Sequence, residues 1–115
     1  MNIRKVMVVG AGFMGSGIAQ VAAAAGFAVT MQDIKNEFIQ KGLTTIEKNL
    51  KNSITKGKLS EEEKNSILDR ITPTVDLSLA KDCDVVIEVI FENKQAKTEL
   101  FKKLEELCPP EVIFA

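Results

Sequence analysis

KVMVVGAGFMGSGIAQVAAAAGFAVTMQD, Lys5 to Asp33, decides the fold of this 115-residue chain. It opens on a short apolar run, Lys5 to Val9, with the composition of a strand covered on both faces of a parallel sheet. Gly10 closes that run. From Phe13 the sequence turns to alanine and other small residues that favour helix, and Gly26 follows as a natural residue just past a helix end. Phe27 to Gln32 returns to strand character and stops at Asp33. Strand, turn, helix and strand within about thirty residues make one βαβ unit, which joins parallel strands by a right-handed crossover.

The same stretch carries no charge between Val6 and Gln32 and follows Arg4 and Lys5. Hydropathy alone would make it a membrane span or a secretion signal. Five glycines, at 10, 12, 15, 17 and 26, interrupt it, and its pattern changes from a β-branched run to an alanine-rich one. Strand, turn and helix account for that change; a span does not.

Gly10 to Gly15, GAGFMG, fits G-x-G-x-x-G directly after a predicted strand and at the opening of a predicted helix, the context that this motif requires. Gly10 permits the tight turn, Gly12 lets the backbone approach a pyrophosphate, and Gly15 lets helix and strand pack closely. The intervening Ala11, Phe13 and Met14 contribute backbone amides at a helix N-terminus, whose free N–H groups and dipole favour phosphate. Asp33 ends the second strand at about the spacing from the glycines where an acidic residue meets the adenosine ribose. A carboxylate there repels a 2′-phosphate, which favours NAD over NADP, although Lys35 lies near enough to partner such a phosphate.

From Asn36 the apolar residues Ile39, Leu43, Ile46, Leu50 and Ile54 recur at helical spacing, predicting a helix of about twenty residues that Gly57 stops. Ser60 with Glu63 fits a capping box, so a second helix should run to Arg70. The two form a helical hairpin over about 36–70, inserted between strands two and three. Thr72 to Asp76 predicts a short strand, Leu77 to Cys83 a turn of helix, and Val85 to Ile90 a buried strand holding one carboxylate, Glu88. Ala96, Leu100, Phe101, Leu104 and Leu107 lie on one helical stripe, ended by Pro109 and Pro110, and Glu111 to Ala115 begins another strand. The expected fold class is α/β, a Rossmann-type doubly wound parallel sheet forming one domain over residues 1–115. An apolar strand at the end of the sequence leads us to expect a longer protein or a partner covering the sheet edge.

Composition removes several function classes. Lysine plus arginine is 15 against 16 acidic residues, a net charge of −1, which argues against a nucleic-acid binder. There is no histidine, tryptophan or tyrosine. No imidazole base or metal ligand is therefore present, and the two cysteines, Cys83 and Cys108, lack the spacing of a zinc site or a disulfide scaffold. We expect two reduced thiols in a cytoplasmic chain, with no metal and no membrane.

GAGFMGSGIAQVAA, the Asp33 strand end, TVDL, CDVVIEVIFEN with the following Lys97, and LCPPEVIFA resemble the N-terminal NAD-binding domain of the 3-hydroxyacyl-CoA dehydrogenases, most closely the bacterial short-chain 3-hydroxybutyryl-CoA enzymes. The resemblance covers essentially the whole chain. It implies hydride exchange between NAD(H) and C3 of a short-chain 3-hydroxyacyl-CoA or 3-oxoacyl-CoA, as in fatty acid and butanoate metabolism. It places Gly10 to Gly15 and Asp33 on NAD, with Glu92 and Lys97 beside the cofactor. It also gives the long helix a part in the coenzyme A site, where Lys56 matches a substrate-binding position and Asn49 stands where relatives have Ser. Residues 35 to 58 hold six lysines against two glutamates, a basic local balance suited to coenzyme A phosphates. The family's catalytic histidine, its paired glutamate and its substrate-placing serine and asparagine fall beyond residue 115, as does a helical second domain that mediates dimerisation. No catalytic residue is therefore expected in this chain, and a homo-oligomer is expected only of the longer form. Two other readings stay open: a non-catalytic nucleotide-binding module, and an NAD(P)-dependent dehydrogenase of free β-hydroxy acids.

Overall fold

The computed structural model describes residues 3–89, 98–100, 102, 103, 106, 108, 113 and 114. Five parallel strands form one sheet in the order β3-β2-β1-β4-β5: β1 Lys5–Val9, β2 Ala28–Gln32, β3 Ile71–Thr74, β4 Val85–Glu88 and β5 Ile113–Phe114. Helix α1, Phe13–Ala24, crosses between β1 and β2; α2, Asn36–Thr55, and α3, Glu61–Asp69, form the hairpin between β2 and β3. The order reverses between β1 and β4, so the crevice beyond their carboxyl ends is where a ligand is expected.

Alternation along each strand divides the core. Val6, Val8, Val29, Met31 and Ile71 face α1, α2 and α3, packing with Ala19, Ala23, Ile39, Ile46, Leu50 and Ile67. Met7, Val9 and Val86 point the other way, onto Ala80 of the Leu77–Asp82 3₁₀ turn and Cys83 just after it. Of the predicted helical stripe, Ile39, Ile46 and Leu50 are buried, while Leu43 and Ile54 are half-buried.

Both long helices end in the same device. Gly26, at φ 102°, donates to Ala23 O while Phe27 N donates to Ala22 O; Gly57, at φ 73°, donates to Ile54 O while Lys58 N donates to Ser53 O. These paired bonds satisfy terminal carbonyls through a left-handed residue that glycine supplies without a Cβ penalty. The capping box is formed, with Glu63 N donating to Ser60 Oγ at 3.1 Å and Ser60 N donating to Glu63 Oε1 at 3.2 Å. Ser60→Ala should lower stability by about 1 kcal/mol in urea unfolding.

Three boundaries differ from expectation. β3 starts at Ile71 and ends at Thr74, because Val29 N reaches Arg70 O and Asp33 N reaches Thr74 O, fixing the ladder one step earlier. Pro73 is tolerated there because β3 is an edge strand. The Leu77–Asp82 turn is 3₁₀, started by Asp76, whose carboxylate accepts from Ser78 N and Ser78 Oγ. β4 closes at Glu88, short of the predicted Ile90, which lies outside the described residues.

Asp84 ties the sheet's other end, its Oδ2 accepting from Arg4 N at 2.8 Å and Lys5 N at 3.0 Å, which holds its carboxyl below the usual carboxylate range. A depressed folded-state pKa stabilises above the unfolded value and loses that contribution as pH falls through the folded one. Asp84→Asn should therefore flatten the loss of urea resistance below pH ~4. An unchanged acid limb would remove this role. Cys83 is buried, donates to Leu79 O at 3.6 Å, and burial pushes its thiol pKa up, so it is a packing thiol.

Candidate functional site

The glycine turn is built from both sides. Gly10 sits at φ 112° and its N–H donates to Gln32 O at 2.7 Å, pinning the turn to the end of β2. A Cβ on Gly15 would collide with the carbonyl oxygen of Gly10, so helix and turn approach as closely as glycine allows. Gly12 differs from both: it is the N-cap of α1 at φ −70°, and a Cβ there would meet nothing within 4 Å. The fold itself thus makes no use of the missing side chain at position 12.

Among the described residues no side chain caps the start of α1. Gly12 offers no capping side chain, and the first turn contains no acidic residue. The leading N–H groups and the positive end of the helix are therefore open to an anion. Open space over Gly12, beside a helix start with no side-chain cap, suits the approach of a dinucleotide pyrophosphate to the main chain. Ala11, Phe13 and Met14 contribute main chain to this cradle. The Phe13 and Met14 side chains point away, at 90% and 51% exposure, onto a groove between α1 and α2.

Asp33 lies where the spacing argument puts it, and its carboxylate is already engaged. Oδ2 accepts from Ala11 N at 2.9 Å and Oδ1 accepts from Ile34 N at 2.7 Å. The acid and the glycine turn are thereby one hydrogen-bonded unit. An ionised carboxylate has about four lone-pair positions, so two amides leave acceptor capacity for a sugar hydroxyl. Asp33 also lines a cavity of about 800 Å³ with Gln32, Ile34, Val75, Asp76 and Leu77, on the side of the sheet away from α1. Lys35 turns from this cavity, its Nζ over the Phe38 ring at 5.7 Å.

Glu92 and Lys97 lie outside the described residues. Lys56 is exposed at the C-cap of α2 and does not line the α1–α2 groove. Asn49 does line it, and its Nδ2 donates to Gln20 Oε1 at 3.3 Å across the two helices. No cluster of three metal-ligating side chains occurs among the described residues, and no described helix is long and apolar enough to cross a membrane.

Two contributors escape a motif-based reading. A Cβ on Gly42, inside α2, would lie 2.7 Å from Ala11 O, so this glycine lets the hairpin rest on the glycine turn. A glycine in a helix interior costs about 1 kcal/mol, and that cost was the available signal. Gln32 is the other: it is 5% exposed, and Nε2 donates to the carbonyls of Asp33 and Val75, both at 3.2 Å.

Residues 5–115 match the model of the 3-hydroxyacyl-CoA dehydrogenase NAD-binding domain. The chain belongs to this family. It is 49% identical over 115 residues to a probable 3-hydroxybutyryl-CoA dehydrogenase of Bacillus subtilis, covering all of this chain and 40% of that protein. It is 37% identical to the 3-hydroxyadipyl-CoA dehydrogenase of Escherichia coli, covering 98% of this chain and 24% of that one. The crystal structure of (S)-3-hydroxybutyryl-CoA dehydrogenase from Ralstonia eutropha superimposes with a TM-score of 0.95 at 40% identity, again over 98% of this chain and 40% of that one. The chain thus spans about 40% of the length of the curated 3-hydroxybutyryl-CoA dehydrogenases it matches. Family membership makes the glycine turn and the Asp33 strand end parts of an NAD-binding domain.

Proposed function

We propose that this chain is the nucleotide-holding part of a short-chain 3-hydroxyacyl-CoA dehydrogenase, with residues 1–115 acting as one cofactor domain. The observation that carries it is the open space over Gly12 at the start of α1, a position where the fold needs no glycine but a diphosphate does. In this reading the amides following Gly12 hold the diphosphate, Asp33 accepts from the adenosine ribose, and Glu92 and Lys97, outside the described residues, are assigned to the cofactor. NAD supplies a hydride acceptor at its nicotinamide ring. Proton transfer at the substrate oxygen has no imidazole in these 115 residues to perform it.

The substrate half has support in the groove of about 550 Å³ between α1 and α2. Phe13, Met14 and Val21 give it an apolar wall, and Val21 is 70% exposed. Lys56 follows Asn49 two helical turns along α2, outside the groove lining, and is assigned here as the cation for a coenzyme A phosphate. The name of the Bacillus subtilis relative favours a four-carbon acyl group, and we propose that the full-length enzyme is a homo-oligomer working in the cytoplasm.

Calorimetric titration with NADH and NADPH tests the cofactor assignment. NADH should bind the more tightly, and Asp33→Asn should weaken NADH by about tenfold while narrowing the gap to NADPH, since loss of a charged acceptor costs about 1.5 kcal/mol or more. Equal affinities in the parent chain, or an unchanged preference in the variant, would overturn the role of Asp33. With acetoacetyl-CoA present, the chain should bind NADH and show no turnover.

A further inference from the structure

Gln32 ends β2 one residue before Asp33, 5% exposed, on the same wall of the cavity as Ile34, Val75 and Leu77. A glutamine is buried at a cost unless its amide finds partners, and here half of it does. Nε2 donates to two carbonyls, Asp33 O and Val75 O, at 3.2 Å each. Two carbonyl oxygens against one end of the amide fix which end is nitrogen, because the flipped arrangement would set oxygen against oxygen. Oε1 is therefore held in a set direction, and it accepts no hydrogen bond from the described residues. Gln32 itself lines the cavity beside Asp33.

We infer that Gln32 is a specificity residue for the nucleobase: its Oε1 accepts a hydrogen bond from the exocyclic amino group of adenine bound in the cavity beside Asp33. This rests on the NAD reading above and deepens it. The carboxylate of Asp33, one residue on, addresses the sugar, so the base of the same nucleotide falls within the cavity that both residues line. Ile34 and Val75 give that cavity apolar surface for a flat ring, which leaves the amide oxygen as a preset polar contact. Tied down at Nε2, the side chain loses little further freedom on binding.

The test is a double-mutant cycle on the full chain, with NAD and the dinucleotide carrying unsubstituted purine in place of adenine as ligands, and Gln32→Leu as the variant. The parent chain should bind NAD about fivefold more tightly than the purine analogue, one neutral hydrogen bond's worth. In Gln32→Leu the two ligands should bind alike. Loss of the clamp on Val75 would weaken both ligands by the same factor, so the ratio separates reading the base from holding the wall. A parent chain indifferent to the amino group overturns the inference without recourse to any variant, and so does a Gln32→Leu protein that keeps the preference. Failure of the parent chain to bind either dinucleotide would instead overturn the NAD assignment itself.

Discussion

Gly12→Ala is expected to fold with the stability of the parent chain, within about 1 kcal/mol, and to lose NADH affinity by an order of magnitude or more. The two halves of that expectation come from the same measurement of space. At φ −70° the position suits any residue, and an added methyl meets nothing within 4 Å, so the native chain need not adjust. Alanine is a poorer N-cap than glycine but restricts the unfolded chain, and these effects of about 0.5–1 kcal/mol oppose each other. The methyl would instead occupy the open space assigned to the diphosphate and push it off the helix N-terminus, and about 1.4 kcal/mol lost there is tenfold. Thermal unfolding without ligand, paired with NADH titration, checks both halves. Undiminished affinity would remove the phosphate from this turn.

Gly15→Ala should do the reverse and fail at the level of the fold. Its Cβ would run into the Gly10 carbonyl, a backbone atom fixed by the turn and by the Gly10–Gln32 hydrogen bond. Neither side can yield cheaply, and overpacking of this kind costs about 3 kcal/mol or more, a large part of a small domain's total stability. Gly17 provides the control within the same helix, since a Cβ there meets nothing within 4 Å. Gly17→Ala should stabilise by about 0.5–1 kcal/mol through helix propensity alone. Denaturant midpoints falling for position 15 and rising for position 17 would confirm that only the first is a packing glycine; equal shifts would refute it.

The parallel α/β fold and the glycine turn were legible where one residue type has one physical reason to be present. Gly10, Gly15, Gly26 and Gly57 stand where backbone sign or contact demands glycine, and Ser60 with Glu63 forms the box its spacing announced. Asp33 was legible as an acid at a strand end, yet its bonds to Ala11 N and Ile34 N were not, because they depend on how the turn folds back over the strand. Strand ends were less legible still. β3 begins at Ile71 because Arg70 O and Thr74 O meet β2, a matter of register that local composition does not contain. Gln32 escaped for a related reason: an alternating strand hides a polar residue at its buried end until the neighbouring carbonyls of Asp33 and Val75 are known.

Gly42 has a mechanical consequence. Where most crossovers would leave the glycine loop backed by one helix, here a second helix leans on Ala11 and brings no side chain of its own at the contact. The inserted hairpin is a buttress, and trimming residues 36–70 to a bare connection would leave the loop braced on one flank only.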